Sequence, residues 1–304
     1  MRILRLMGML LSEALSARGL DREPEPAAIM EDRASVKAFH EQGNPSTGPM
    51  LPVYHVNAVA ISRLTPYGGR VVDFGSGSSQ FLMYLAQCRE DLDILGVDLS
   101  REMVSVGREA IQEAGLDHRI RLLEGNMIDF GDAVQGPVDA ISSVFSFHHL
   151  PRQEDLQQCL ESMARLAART GCALWAFDHV RPRLRKTAEW FPEIFSPKAP
   201  RFYNRDSTNS LLASFSFEEL SASLDAYFPD GVTHSCSSIM RLFQAHWKPG
   251  ERSREAIEDS RCRLRDDRLP ADARRSYRSL RWSFRSDPLI SGAPFLAVDP
   301  KPSQ

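Results

Sequence analysis

A chain of 304 residues with 42% hydrophobic content has room for one large domain with insertions, or two modest ones, around a sizeable core. Its 37 Lys and Arg against 40 Asp and Glu leave a formal charge of -3, which supplies no overall basic footprint for nucleic acid. Five widely spaced cysteines, with no CxxC and no Cys/His pairing at zinc-ligand spacing, imply reduced thiols and neither a disulfide framework nor a metal site.

Residues 1–17 place Arg2 and Arg5 ahead of the apolar run Leu6-Met7-Gly8-Met9-Leu10-Leu11. The run is short, Glu13 follows at once, and the spacing suits one face of a helix, so an amphipathic helix is expected in place of a signal peptide. No other stretch approaches the ~20 apolar residues of a membrane span, so a cytoplasmic protein without a membrane partner is expected. Asp21-Arg22-Glu23-Pro24-Glu25-Pro26 reads as a linker, and Gly43-Asn44-Pro45-Ser46-Thr47-Gly48-Pro49 is a second break. Residues 1–53 are therefore a preamble or cap. Val56, Val59, Ala60 and Leu64 then recur at helical spacing over 54–64, before the turn at Thr65-Pro66-Tyr67-Gly68-Gly69.

From there strands predicted at 70–74, 93–97, 120–124, 138–142 and 172–177 alternate with helices at 80–87, 101–114 and 153–168. Parallel strands need such crossovers, so the pattern is that of a doubly wound α/β sheet. After an insertion at about 181–215, Ser216 and Glu219 form a capping signal, and 233–238 and 241–247 are strands joined too tightly for a crossover, hence antiparallel. Residues 248–304 form an arginine-rich extension with a helix at 271–284, read as packing, dimerisation or lid formation. Homodimerisation is left open.

The decisive local feature is Val71-Val72-Asp73-Phe74-Gly75-Ser76-Gly77-Ser78-Ser79-Gln80-Phe81, a buried strand running into a glycine turn and then a helix. Glycine serves where a ligand lies against bare backbone or the chain takes positive φ, and the amides at the helix start favour a negatively charged group. About twenty residues on, Gly96-Val97-Asp98-Leu99-Ser100 places a carboxylate where it can accept hydrogen bonds from both hydroxyls of a ribose. Together these describe a nucleoside-containing cofactor. The dinucleotide fingerprint wants a small residue where this chain has Gln80, and does not call for the acid Asp73, so both count against a nicotinamide cofactor. An acid at that place suits a ligand with an ammonium group.

Asp73-Phe74-Gly75-Ser76-Gly77 resembles the first motif of class I S-adenosylmethionine-dependent methyltransferases, and Asp98 stands at that family's ribose-binding acidic position. Glu124-Gly125-Asn126-Met127 resembles its adenine-contacting motif, with Asn126 where aspartate is commoner. Val138-Asp139-Ala140-Ile141 resembles its fourth strand, and Phe147-His148-His149-Leu150-Pro151 the segment that follows in small-molecule members. The resemblance covers residues 54–247 and implies a Rossmann-like α/β domain: a mostly parallel seven-stranded sheet with an antiparallel last strand and helices on both faces. It implies S-adenosyl-L-methionine as cofactor, bound by Asp73, Gly75, Ser76, Gly77, Asp98, Leu99, Asn126, Met127 and Ser143. No metal is implied.

In methyl transfer from a sulfonium the protein mainly binds, aligns and desolvates. His148 and His149 follow the fourth strand on the methyl side of the sheet, as a general base, a substrate contact or a turn that holds the loop. Asp178-His179, past the fifth strand, is equally well placed. Tyr54 is within expected reach of the methionyl carboxylate, and the insertion carries Trp190, Phe191, Phe195, Arg201, Phe202, Tyr203 and Arg205. Those aromatics and cations suit a planar or anionic small molecule, or pack the insertion onto the domain. The expected function is methylation of an O, N or C nucleophile on a small molecule, as in specialised metabolism. A non-catalytic cofactor-binding subunit remains open, as does a protein or nucleic-acid methyltransferase, which Ser143-Val144-Phe145-Ser146 in place of an Asn/Asp-Pro-Pro-aromatic signature weighs against.

Overall fold

The computed structural model describes residues 2–16, 19–26, 32–44, 49–196, 201–229, 231–238 and 241–292. Three helices precede the sheet: α1 (Arg2–Leu15), α2 (Arg33–Gln42) and α3 (Leu51–Leu64). The carboxylate of Asp32 caps α2 by accepting the Ser35 amide, and Pro52 sits in the first turn of α3, where its missing amide costs no helical bond. Alternation then sets in with β1 (Arg70–Phe74), α4 (Gln80–Cys88), β2 (Asp93–Asp98), α5 (Arg101–Glu113), β3 (Ile120–Glu124), β4 (Ala140–Val144), α6 (Gln153–Thr170) and β5 (Ala173–His179). The insertion folds as α7 (Arg185–Phe195) and α8 (Arg201–Ala213). The chain continues through α9 (Phe217–Tyr227), β6 (Thr233–Cys236), β7 (Phe243–Lys248), α10 (Ser253–Glu258), α11 (Ala271–Ser283) and α12 (Pro288–Ser291).

The seven strands lie in the order β3-β2-β1-β4-β5-β7-β6. β1 to β5 are parallel, and β7 runs antiparallel to both of its neighbours, β5 and β6. This is the expected Rossmann-like architecture, with the antiparallel strand inserted one place in from the edge. Side-chain alternation divides the core. Val71, Ile94 and Ala140 face the layer of α3, α4 and α11, while Val72, Phe74, Leu95 and Ile141 face α6 and α9.

Helix α3 and the C-terminal extension are both built into the first of these layers. Trp175 of β5 is fully buried, and its Nε1 donates to Asn57 Oδ1 of α3 at 2.7 Å. His55 of α3 stacks edge-on against Tyr277 of α11, with ring centroids 4.6 Å apart, and Phe284, Leu289 and Ile290 join the same cluster. Among the described residues no helix is long and apolar enough to cross a membrane.

Candidate functional site

Because β1 to β5 are parallel, the loops that leave their carboxyl ends gather at one edge of the sheet. Gly75 and Gly77 take φ of +79° and +52°, and Ser79, at the start of α4, is held at +65°, a region that side chains other than glycine rarely occupy. The amides of Gly75 and Ser76 donate to the Val97 carbonyl at 2.8 and 3.0 Å. The Gly77 amide donates to Asp98 Oδ2 at 2.7 Å, and the Ser100 amide to Asp98 Oδ1 at 2.9 Å. Asp98 thus braces the glycine loop and the start of α5 together, and burial pushes its carboxyl above the ordinary range.

The two glycines answer to different demands. A Cβ on Gly75 would lie 2.3 Å from Ser146 Cβ and 2.9 Å from Met127 Cε, whereas one on Gly77 would meet nothing within 4 Å. Around them, the Ser76 and Ser79 hydroxyls and Gln80 Oε1 are buried without a hydrogen-bond partner. Bare backbone beside unpaired donors and acceptors is a fitting cradle for a zwitterionic amino-acid group.

One cavity of about 1610 Å³ runs from this loop to the insertion. Pockets for drug-sized ligands run to roughly 300–1,000 Å³, so the space suits a cofactor and a second molecule. Gly75, Ser76, Gly77, Asp98, Leu99, Asn126, Met127, His148, His149, Tyr54 and Tyr203 all line it. Leu99 is 44% exposed, an apolar side chain held on the cavity wall. Asn126 Oδ1 accepts the Ile128 amide at 3.1 Å, which fixes its own loop and leaves one lone pair. The Tyr54 ring packs between Phe81 and Tyr84, and burial raises its phenol.

Four of the expected residues stand elsewhere. Asp73 is 2% exposed behind the glycine loop, where it accepts from Ser142 Oγ at 2.5 Å, and burial pushes its carboxyl up to about 7. Ser143 is also buried and shares a hydrogen bond with Ser146, whose hydroxyl donates to the Phe74 carbonyl at 2.8 Å. It is Ser146 that reaches the cavity wall. On α7, Phe191 and Phe195 face inward, while Trp190 lies off that face beneath the Lys186 ammonium, 4.5 Å from the ring centroid. On α8, Tyr203, Asp206, Ser207 and Ser210 share the inward face, and Arg201 is exposed away from it. The Phe202 side chain lies outside the described residues.

The cavity wall also carries a polar cluster. His148, 3% exposed, bonds through Nδ1 to Asp178 Oδ1 at 2.7 Å, and its amide donates to Asp178 Oδ2. Burial alone would raise the Asp178 carboxyl, but the charge and bond of His148 outweigh it and hold it below the usual range. His149 bonds through Nδ1 to Glu25 Oε2 at 2.7 Å, and Ser210 Oγ donates to Glu25 Oε1 at 2.8 Å. Burial opposes this ion pair too, yet the pairing wins: the His149 imidazole sits above its ordinary pKa and Glu25 is pulled down to about 2. Asp206, beside Glu25, is raised by burial and then by that neighbour's charge. Phe145, Phe191, Phe195 and Phe243 wall the same cavity, and Phe145 also stands at positive φ, +55°. Both non-glycine residues with positive φ among those described therefore border the cavity.

Glu25 is the residue that sequence reasoning passed over, within a segment that reads as linker. Arg22 pins that segment down by donating to the carbonyls of Ala213, Pro151, His148 and Leu150 at 2.5 to 3.0 Å, while lying over the Phe215 ring. A cation three residues before an acid, between prolines, was the available signal.

Comparison with known proteins gives a concordant result. A family described as "Methyltransferase domain" matches residues 71–171. The carboxy-S-adenosyl-L-methionine synthase of Campylobacter jejuni is 28% identical over 129 residues, covering 41% of this chain and 52% of that protein. The chain thus spans about half the length of the curated relatives it matches. Among solved structures, the plantazolicin methyltransferase BpumL in complex with SAH superposes with a TM-score of 0.53 at 14% identity, over 82% of this chain and 99% of that one. A putative S-adenosyl-L-methionine-dependent methyltransferase from Methanococcus maripaludis gives 0.52 at 18% identity, over 77% and 98%.

Proposed function

We propose that this chain, a class I S-adenosylmethionine-dependent methyltransferase by its domain and fold, methylates a small molecule bound between the glycine loop and the Glu25, His148 and His149 cluster. The observation that carries the reading is the continuity of the cavity, which is lined both by the cofactor motifs and by an aromatic-walled polar cluster. S-adenosylmethionine supplies a methyl group already activated on sulfur. The chain's own work is then alignment and exclusion of water.

Asp98 takes the ribose hydroxyls, Leu99 and Met127 flank the adenine, and the loop amides with Ser76, Ser79, Gln80 and Tyr54 hold the amino-acid end. Asp73 acts from behind the loop through Ser142, with no surface on the cavity. Phe145, Phe191, Phe195 and Phe243 favour a planar acceptor, whose reacting oxygen or nitrogen lies against the two histidines. The strap carrying Arg22 and Glu25 is bonded to both histidines.

Calorimetric titration with S-adenosylhomocysteine and with NADH tests the cofactor, and mass analysis of aromatic acceptors incubated with S-adenosylmethionine tests the reaction. Binding of the sulfur ligand alone, and gain of one methyl by an acceptor, are expected. Absence of S-adenosylhomocysteine binding overturns the reading. The similarity to a carboxy-S-adenosyl-L-methionine synthase raises a second possibility, in which the cofactor itself is altered. The same mass analysis separates the two, since only then does the cofactor gain mass.

A further inference from the structure

The polar cluster has a geometry that its role as an acceptor contact does not require. The ligand-capable atoms of Glu25, His148 and His149 all lie within 4.8 Å of one another. We propose that these three side chains form a binding site for one divalent transition-metal ion, of the two-histidine, one-carboxylate kind, on the acceptor side of the cavity.

Three features support it. First, His148 is oriented as a metal-binding imidazole is, because Asp178 accepts from its Nδ1 at 2.7 Å and leaves Nε2 as a lone-pair donor of fixed direction. Asp178 is itself held by the amides of His148 and His179 at 3.2 and 2.7 Å. Second, the other two ligands are steadied and adjacent. Ser210 fixes one oxygen of Glu25, the other lies 2.7 Å from His149 Nδ1, and the two imidazole rings are 4.2 Å apart between centroids. Ligands at about 2.0–2.2 Å from an ion stand roughly 3 Å from each other, so only small shifts are needed, with the ion replacing the proton shared by His149 and Glu25 and that proton passing to solvent.

Third, the local charge invites a cation. The carboxylates of Glu25, Asp178 and Asp206 surround the two imidazoles, and the nearby Arg22 guanidinium is committed to backbone carbonyls. Two imidazoles and one carboxylate suit Zn²⁺, Co²⁺, Mn²⁺ or Fe²⁺ over Mg²⁺, which prefers oxygen ligands. The expectation from sequence that no metal binds rested on local spacing, and Glu25 stands 124 positions from His149. Binding of the ion is independent of the methyl-transfer reading. Only the use of its remaining positions, to hold the acceptor's oxygen or nitrogen, rests on it.

The test uses the full chain, free of affinity tags and stripped of metal, titrated with Co²⁺ by visible absorption and with Zn²⁺ against a chromophoric chelator, alongside S-adenosylhomocysteine binding. One equivalent of Co²⁺ should give ligand-field bands that Zn²⁺ abolishes and Mg²⁺ leaves intact. Glu25→Gln and His149→Gln should each weaken Zn²⁺ by at least the 10- to 100-fold that losing even a supporting partner costs, while both variants still bind S-adenosylhomocysteine. Both substitutions lie at the cavity surface, and an unaltered far-ultraviolet spectrum shows that the variants fold. No Co²⁺ bands, or bands that persist in both variants, overturn the ion site and leave the cofactor reading standing. Metal binding without S-adenosylhomocysteine binding sustains the ion site and overturns the cofactor reading instead.

Discussion

Gly75 and Gly77 stand two residues apart in one loop, both at positive φ, and alanine at each should fail in a different way. At Gly75 the added Cβ meets Ser146 Cβ at 2.3 Å, Ser146 Oγ at 2.8 Å and Met127 Cε at 2.9 Å, and Ser146 is tied by its hydroxyl to the Phe74 carbonyl. Neither neighbour can withdraw without breaking a bond or shifting a wall. Overpacking of about 1–3 kcal/mol adds to about 1–2 kcal/mol for a side chain in the left-handed region. The sum, roughly 3 kcal/mol, corresponds to a fall of about 5 °C in Tm for a chain of 304 residues.

At Gly77 only the φ cost of about 1–2 kcal/mol applies, because the Cβ meets no atom within 4 Å. Gly77 lines the cavity, so on the proposed reading a methyl there intrudes on the cofactor and should weaken S-adenosylhomocysteine by about tenfold or more, the equivalent of about 1.4 kcal/mol. Calorimetry for scanning and for titration, run on both variants, gives the two readouts. A Gly75→Ala protein as stable as the parent, or a Gly77→Ala protein that binds S-adenosylhomocysteine undiminished, would refute the assignment of one glycine to packing and the other to the ligand.

Three further outcomes are expected. Asp98→Asn replaces a charged acceptor by a half-donor, and with charge-assisted bonds at about 1.5–3 kcal/mol each two lost ribose bonds should weaken S-adenosylhomocysteine by more than roughly 100-fold; an affinity within threefold of the parent contradicts the ribose assignment. Asp73 carries a folded-state pKa of about 7 against an ordinary 3.8, so its stabilising contribution is full below the lower value and lost as pH rises through the upper one. The gap, about 3 pH units at about 1.4 kcal/mol each, makes the parent lose about 4 kcal/mol from this group between pH 4 and 8. Asp73→Asn should flatten that slope in denaturant titrations, and equal slopes in both proteins would disprove it. Arg22→Ala removes four bonds that fasten the strap to the carbonyls of Ala213, Pro151, His148 and Leu150. Limited proteolysis should then cut within residues 19–26 about tenfold faster or more, as expected of local opening, while the core melts within a few degrees of the parent; unchanged cleavage shows the strap is held otherwise.

How much of this was legible without coordinates follows from how far apart the interacting residues lie. The buried strand and glycine turn at 70–81, the carboxylate closing the second strand and the capping pair were all readable, because each is a local rule. Ser216 Oγ accepts the Glu219 amide at 3.1 Å and Glu219 returns the bond at 2.8 Å, as their spacing indicated. Ends of strands were less legible. The fourth was expected at 138–142, since Val138 is apolar and indeed buried, but ladder pairing runs from Ala140 to Val144 because burial and register are separate conditions. The fifth reaches His179 because β7 pairs there, with Asp178 opposite Gln244 and His179 opposite Phe243.

Periodicity and turn chemistry within a few dozen residues thus encode the doubly wound sheet, the glycine loop and the position of the two histidines after the fourth strand. Tertiary structure alone decided what those histidines face. Hydrophobic periodicity is blind to a carboxylate arriving from 124 positions away, and equally to which face of α7 or α8 turns inward once the insertion docks. Glu25 entered the cavity and Trp190 and Arg201 left it for the same reason: side-chain direction at a long-range contact is fixed by packing, which no local pattern records.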